Sequence, residues 1–297
     1  MIETWDEYKI FENKLRSFVK SVRAIPKIKK ALSYVISSGG KRTRPLIVLL
    51  SGKMCGGEYS KLMNLALSVE LIHTASLIHD DVIDKAEKRR RQSSLHKKYD
   101  ISLAIVLGDW LISKSVELTS KYGREIIREC SKVGMMMSEG EIIDTYSTKS
   151  MFTEKDYFEC IIKKTASLFA YSAKTACKIV SDDLKAAKKL FKYGLNLGIA
   201  YQLVDDFLEY TKVIKDKKSI FESKTLPQIY EEKFGKDEVK RRIIDLIDRY
   251  LNKCIGALEY FDECDEKRKL RKIAEYMTYT MINRHLKSSF SKFSEEF

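Results

Sequence analysis

The sequence predicts an all-α fold, on three observations. Breakers are scarce: 297 residues contain only 3 Pro and 13 Gly, so long segments run without the turns a strand-rich fold needs. Apolar residues recur at spacings of three and four almost throughout. No segment sustains the alternation of a half-buried strand, so no strand is expected. Hydrophobic residues make up 44% of the chain, enough for a sizeable core, and no linker rich in Pro, Gly or Ser divides it. The expectation is a single all-helical domain over residues 1–297, with no repeat of solenoid period.

The elements follow in order. Ser37–Ser38–Gly39–Gly40 ends one helix, and Pro45 suits the first turn of the next. Cys55–Gly56–Gly57 ends that second helix. Over residues 60–83, Leu62, Leu65, Ala66, Val69, Ile72, Ala75, Ser76, Ile78 and Val82 fall on or near one side of a helix. Lys85–Asp100 is a basic connector, and residues 186–212 are helical again. Lys212–Pro227 is a second connector and Phe234–Gly235–Lys236–Asp237 a third.

Formal net charge is +13, a value that suits nucleic acid, an anionic membrane surface or a small polyanionic substrate. The six Cys stand at 55, 130, 160, 177, 254 and 264, with no Cys-x-x-Cys pair and no zinc-like spacing to any of the four His. Scattered cysteines of this kind point to reduced thiols in a reducing, cytoplasmic compartment. The charged, amphipathic start, MIETWDEYKIFENK, is unlike a signal peptide. No apolar run reaches the roughly 18 residues of a membrane span; the longest, Ser102–Ile112, holds Asp109. No membrane span is expected.

Two acidic clusters carry the chemistry. In Asp80–Asp81–Val82–Ile83–Asp84, Asp80 and Asp84 stand at i and i+4 and point the same way on a helix. Three carboxylates among apolar neighbours repel one another and resist ionisation. A hard cation removes that conflict, and magnesium takes one or two carboxylates with substrate phosphates and waters. The second cluster is Asp205–Asp206–Phe207–Leu208–Glu209, where Asp205 and Glu209 share a face with Tyr201 and Gln202 one turn earlier. One such cluster is an ordinary acidic turn; two, each embedded in apolar sequence, point to a diphosphate held between two acidic helices. Basic residues complete the argument: Lys88, Arg89, Arg90, Arg91, His96, Lys97 and Lys98 after the first cluster, and Lys41, Arg42 and Arg44 beside Gly39–Gly40. Guanidinium groups bind phosphate oxygens in pairs. Acidic clusters at the centre repel a nucleic-acid backbone, so nucleic acid is excluded as a partner.

These residues together resemble the trans-isoprenyl diphosphate synthases, or polyprenyl synthetases, over about residues 37–230. The motifs are GGKRTRP (39–45), ELIHTASLIHDDVID (70–84), RR (89–90), LGDWL (107–111), KTASLF (164–169), GIAYQLVDDFLE (198–209) and KTLPQIY (224–230). The resemblance implies an antiparallel helical bundle around a deep central cavity, usually a homodimer. It implies head-to-tail condensation of isopentenyl diphosphate with an allylic diphosphate. By that analogy Asp80, Asp84 and Asp205 bind magnesium directly, three ions with substrate bound, supported by Asp81, Asp206 and Glu209. Arg89, Lys164, Thr165, Gln202 and Lys224 hold the allylic diphosphate; Lys41, Arg44, His73 and Arg90 hold isopentenyl diphosphate. The family's released pyrophosphate takes the final proton, so no dedicated base is needed.

Three departures stand out. Glu209 replaces the family's usual Asp, and Arg91 its usual Gly. The stretch after the second cluster is reworked to TKVIKDKKSIFESKTLP, so Lys212, Lys215, Lys217 or Lys218 competes with Lys224.

In this family the chain grows beside the helix of the first motif, and side chains one turn before Asp80 form its floor. Here these are the small Ala75 and Ser76, with Ile72 a turn below. The expectation is a product longer than farnesyl, of four or five isoprene units, as in archaeal-type geranylgeranyl or geranylfarnesyl synthases. The alternatives are a farnesyl diphosphate synthase, a terpene cyclase and a non-catalytic partner subunit. Retention of Lys41, Arg44, His73 and Arg90 argues against the cyclase, and retention of both Asp pairs against the partner subunit.

Overall fold

The computed structural model describes residues 2–90, 92–147, 151–216 and 223–283, without the side chains of 213–216. Lys217, Lys218 and Arg91, and the side chain of Lys215, lie outside the described residues. The all-α expectation holds, with one correction: the basic connector contains a two-stranded antiparallel hairpin, β1 (Lys88–Arg89) and β2 (Gln92–Ser93). A hairpin this short carries no alternation for a sequence pattern to register. The chain forms two compact units, residues 1–131 with 179–181, and residues 132–178 with 182–297.

Unit 1 carries α1 (Asp6–Ser21), α2 (Pro26–Ser37), α3 (Thr43–Met54), α4 (Tyr59–Ile83), α5 (Leu95–Lys98) and α6 (Ile101–Thr119). Gly39 at φ +77° turns the chain out of α2, and Gly56 at φ +87° turns it out of α3, as the Gly pairs predict. Helix α4 is apolar on nearly all sides because it is the core of the unit, packed against α3 and α6. By length and hydropathy α4 could cross a membrane, but 72% of its apolar window is buried inside the protein. Gly108 of the LGDWL run stands where α6 meets α4. A Cβ there collides with the His79 ring, whose Nε2 lies 3.1 Å from the Ile105 carbonyl oxygen.

Unit 2 carries most of α7 (Arg124–Thr145), α8 (Glu154–Ile161), a π-helical turn (Ile162–Ala166), α9 (Ser167–Val180) and α10 (Leu184–Asp216). It continues through α11 (Leu226–Phe234), α12 (Lys236–Ala257) and α13 (Asp265–Glu275). Its core joins α10 to α11 and α12 through Leu203, Val204, Phe207, Leu226, Ile243 and Ile247. Helix α10 runs four residues beyond the expected end at 212, so the second connector starts later than its charge pattern suggests. The KTLPQIY run is a helix start: Thr225 and Gln228 form a reciprocal capping box around Pro227.

Candidate functional site

The first site lies at the C-terminal end of α4. Helix α4 stops at Ile83; Asp84 is its cap, still in right-handed helical conformation, with its N–H 2.8 Å from the Asp80 carbonyl. Lys85 at φ +53° turns the chain into the hairpin. Asp80 is half-buried and Asp84 exposed, whereas Asp81 is buried on the neighbouring face. Asp81 accepts both Arg89 Nε at 2.8 Å and an Arg89 terminal nitrogen at 2.5 Å. Asp81 therefore aims Arg89, and Asp80 and Asp84 add to the negative field around that guanidinium.

A cleft of about 540 Å³ opens beside this pair, lined among others by Gly39, Glu70, His73, Asp81, Arg89 and Arg90. Arg90 Nη1 donates to Ser38 Oγ at 3.2 Å, and a Cβ on Gly40 would meet the Arg90 and Arg42 guanidiniums at 3.0 and 2.9 Å. Glycine at 40 thus lets backbone and two cations approach one spot. Arg44 Nη1 lies 3.2 Å from His73 Nε2. A guanidinium can only donate, so His73 Nε2 accepts and its proton sits on Nδ1. Burial first, then Arg44 and Arg90, hold the His73 pKa well below 6.5. His73 is neutral, and the cations around it are the arginines. Lys41 is exposed.

Arg42 departs from the expectation that the whole upstream basic set faces phosphate. It is buried, adopts φ +50°, and bridges Glu12 and Glu70 at 2.6 Å each. Glu70 is fully enclosed; burial raises its pKa and Arg42, Arg44 and Arg90 oppose that rise. Glu12 stands inside an ordinary amphipathic pattern that does not signal it, and Glu70, which opens the ELIHTASLIHDDVID run, carries no sign of its pairing with Arg42.

The second site lies on α10. Asp205 and Glu209 are exposed on one face, while Asp206 is buried. Tyr157 donates to Asp206 Oδ2 at 2.5 Å, and Gln202 Nε2 donates to Oδ1 at 2.8 Å. Thr165 in turn donates to Gln202 Oε1 at 2.8 Å. Burial pushes the Asp206 pKa up to about 7, against the two hydrogen bonds and with the help of Asp205 and Asp144. Lys164 sits on the π-helical turn and pairs with Asp144 at 2.5 Å and Glu141 at 2.8 Å. A Cβ on Gly140 would collide with the Lys164 backbone, and one on Gly198 with Ala166, so α7 and α10 clamp this turn.

Asp144, Tyr157, Lys164, Thr165, Gln202 and Asp206 line a cleft of about 380 Å³ with Lys224, whose Nζ meets Glu232 at 2.8 Å and whose N–H donates to Ser147 at 2.9 Å; Asp205 and Glu209 stand outside its lining. Glu141 and Asp144 are marked in the sequence only by their i, i+3 spacing on α7, and Tyr157, on α8, carries no signal at all. Tyr201 packs on Phe169, with ring centroids 6.1 Å apart.

Among the described residues no three His, Cys, Asp or Glu side chains converge to hold a metal. The donors are all carboxylates arranged in i, i+4 pairs, Asp80 with Asp84 and Asp205 with Glu209. That set fits magnesium, which completes its shell with phosphate and water. On the row running down α4 from Asp80, Ser76 is half-buried, with its hydroxyl 3.0 Å from the His73 carbonyl. Ile72 and Ser68 follow on that row and are buried; Ala75, beside it, is fully buried.

Residues 25–250 match the family model described as polyprenyl synthetase. The chain is 41% identical to a geranylfarnesyl diphosphate synthase of Methanosarcina mazei over 95% of both chains. A solved geranyltranstransferase from the same organism superposes with a TM-score of 0.83, at 39% identity over 95% of this chain and 100% of that one. A polyprenyl synthase of Caulobacter crescentus, solved with calcium and isoprenyl diphosphate, superposes with a TM-score of 0.79 at 26% identity, over 91% of this chain and 94% of that one.

Proposed function

The chain belongs to the polyprenyl synthetase family, and on that premise we propose how its residues condense isopentenyl diphosphate with an allylic diphosphate into an all-trans product longer than farnesyl. The observation that carries the reading is the unit 1 cleft, where Arg89, Arg90 and neutral His73, itself backed by Arg44, gather beside Asp80 and Asp84. Such a cleft attracts a small polyanion and offers it divalent-cation ligands at its rim.

In this reading residues 1–297 act as one catalytic domain. Arg89, Lys164, Thr165, Gln202 and Lys224 hold the allylic diphosphate, and Lys41, Arg44, His73 and Arg90 hold isopentenyl diphosphate. Asp80, Asp84 and Asp205 carry the magnesium ions, and Asp81, Asp206 and Glu209 support them. Bound magnesium supplies charge neutralisation on the departing diphosphate. The fixed cations favour that departing anion over the intact ester, which lowers the barrier to breaking the allylic C–O bond. Neutral His73 adds hydrogen-bonding capacity without a charge that would trap the product. The second substrate is held close, so its double bond takes the allylic cation before water does.

Small Ala75 and Ser76 stand below Asp80, in keeping with the geranylfarnesyl diphosphate synthase at 41% identity. The solved relative described as a geranyltranstransferase points to a shorter chain; the α4 row favours the longer one. A homodimer belongs to this reading, supported by α6, where Ile101, Ile105, Val106 and Ile112 are 55%, 43%, 55% and 43% exposed. Six free thiols support a reducing, cytoplasmic setting.

The test is consumption of isopentenyl diphosphate by the purified chain during a magnesium titration with allylic primers of different length. Expected is turnover that needs metal and both substrates. Ionisation of the primer alone marks a cyclase, and no turnover with any primer rejects the enzyme.

A further inference from the structure

We propose that the first turns of α10 form a docking surface for an anionic lipid bilayer. At about 100° per residue, Leu184 and Phe191 fall within about 20° of one another on the helix. Lys188, Lys192, Lys185 and Lys189 occupy the next 120° or so. Ala186, Ala187, Leu190, Tyr193 and Leu197 cover the opposite side and are buried. Leu184 is 70% and Phe191 40% exposed, and Tyr260, 43% exposed, joins this end through its hydrogen bond to Asp183.

Elsewhere in unit 2, Lys163 pairs with Glu139 and Glu159, Lys224 with Glu232, and Lys269 with Asp265. Lys185, Lys188, Lys189 and Lys192 form no ion pair among the described residues. The carboxylates nearest in sequence are Asp182 and Asp183, and Asp183 is engaged by the N–H groups of Lys185 and Ala186 and by Tyr260. Unpaired cations beside exposed Leu and Phe match an interfacial surface: the apolar side chains enter the headgroup boundary and the ammonium groups meet anionic lipid. Nucleic acid would use the cations but leave Leu184 and Phe191 in water.

Position adds a reason, which rests on the function proposed above. Leu184 stands about 31 Å along α10 from Asp205 at 1.5 Å per residue. A product that is apolar beyond its diphosphate dissolves poorly in water, and the patch lies on the helix that carries Asp205. A docked patch shortens the path of a water-insoluble product to the membrane.

The experiment is co-sedimentation of the full chain, without substrate, with vesicles of phosphatidylcholine alone or of phosphatidylcholine and phosphatidylglycerol in equal parts. Expected is partition at least about tenfold stronger onto the anionic vesicles, weakened by salt. The triple variant Lys185→Glu, Lys188→Glu, Lys192→Glu loses that preference, and Phe191→Ser weakens binding to a smaller extent. Circular dichroism confirms that the variants fold, and turnover of a short soluble primer stays at the wild-type level. Equal binding to both vesicles, no binding, or unchanged binding by the triple variant overturns the proposal. So does a triple variant whose only change is its oligomeric state, which would make the patch a contact between copies. Binding is measured without turnover, so failure of the enzymatic reading and failure of the docking surface are separate results.

Discussion

The two clefts differ in what surrounds their buried groups. In unit 1, Arg42, Arg44, Arg89 and Arg90 surround Glu70, Asp81 and a neutral histidine. In unit 2, Glu141 and Asp144 pair with Lys164, Lys224 pairs with Glu232, and burial pushes the Asp206 pKa up to about 7.

The largest expected effect breaks the unit 1 side. Arg42→Ala leaves Glu70 buried without its partner, at a cost of about 3–5 kcal/mol. Thermal or denaturant unfolding reads this directly. A change under about 1 kcal/mol would mean that Glu70 is satisfied by Arg44 and Arg90 instead, and that the arginine cluster is one redundant set.

The next effect breaks the unit 2 side. Asp205→Asn removes an exposed carboxylate that carries no core packing, so the fold stands. By comparison with the loss of one charge-stabilising group, kcat falls about 10²–10³-fold. Raised magnesium restores part of it if Asp205 is a metal ligand. Unchanged kcat across the magnesium titration would remove Asp205 from the site.

The clefts also differ in their response to pH. Neutral buried His73 excludes a proton that the unfolded chain takes up near pH 6.5, so its contribution to stability is lost as pH falls below that value. Asp206 does the reverse. The folded chain keeps its proton up to about pH 7, whereas an unfolded Asp releases it near pH 4, so stability falls as pH rises through that window, by on the order of 4 kcal/mol. In metal-free protein, Asp206→Asn should flatten the loss between about pH 4 and 7, and His73→Gln the loss on the acid side of about 6.5. Equal pH profiles for both variants would contradict the assignment of opposite pH responses to the two buried groups.

How much of this was legible in the sequence divides along the same line. Helices, Gly-based stops and the two acidic clusters could be read, because i, i+4 spacing and breakers act locally. The partition within each cluster could not. Asp80 and Asp81 differ only by a turn of about 100° on the helix, yet one stands at the rim and the other is buried against Arg89. Arg42 and Arg44 differ by one left-handed residue, which sends Arg42 to Glu12 and Glu70. Tyr157 reaches Asp206 across 49 residues of sequence, and no periodicity carries that contact. The hairpin and the true end of α10 were missed because connectors were read from charge alone.

The smallest expected effect is steric. Ala75 is fully buried, and Ala75→Phe overpacks the row below Asp80 at about 1–3 kcal/mol of stability. Its product is shorter, by one or more isoprene units, while the rate of the first condensation is kept. An unchanged product distribution would place the floor elsewhere.

The most direct test of the whole account is mass spectrometry of the product formed by the wild-type chain from isopentenyl diphosphate, an allylic primer and magnesium. The account predicts a polyprenyl diphosphate of four or five isoprene units. Farnesyl diphosphate as the sole final product would contradict it.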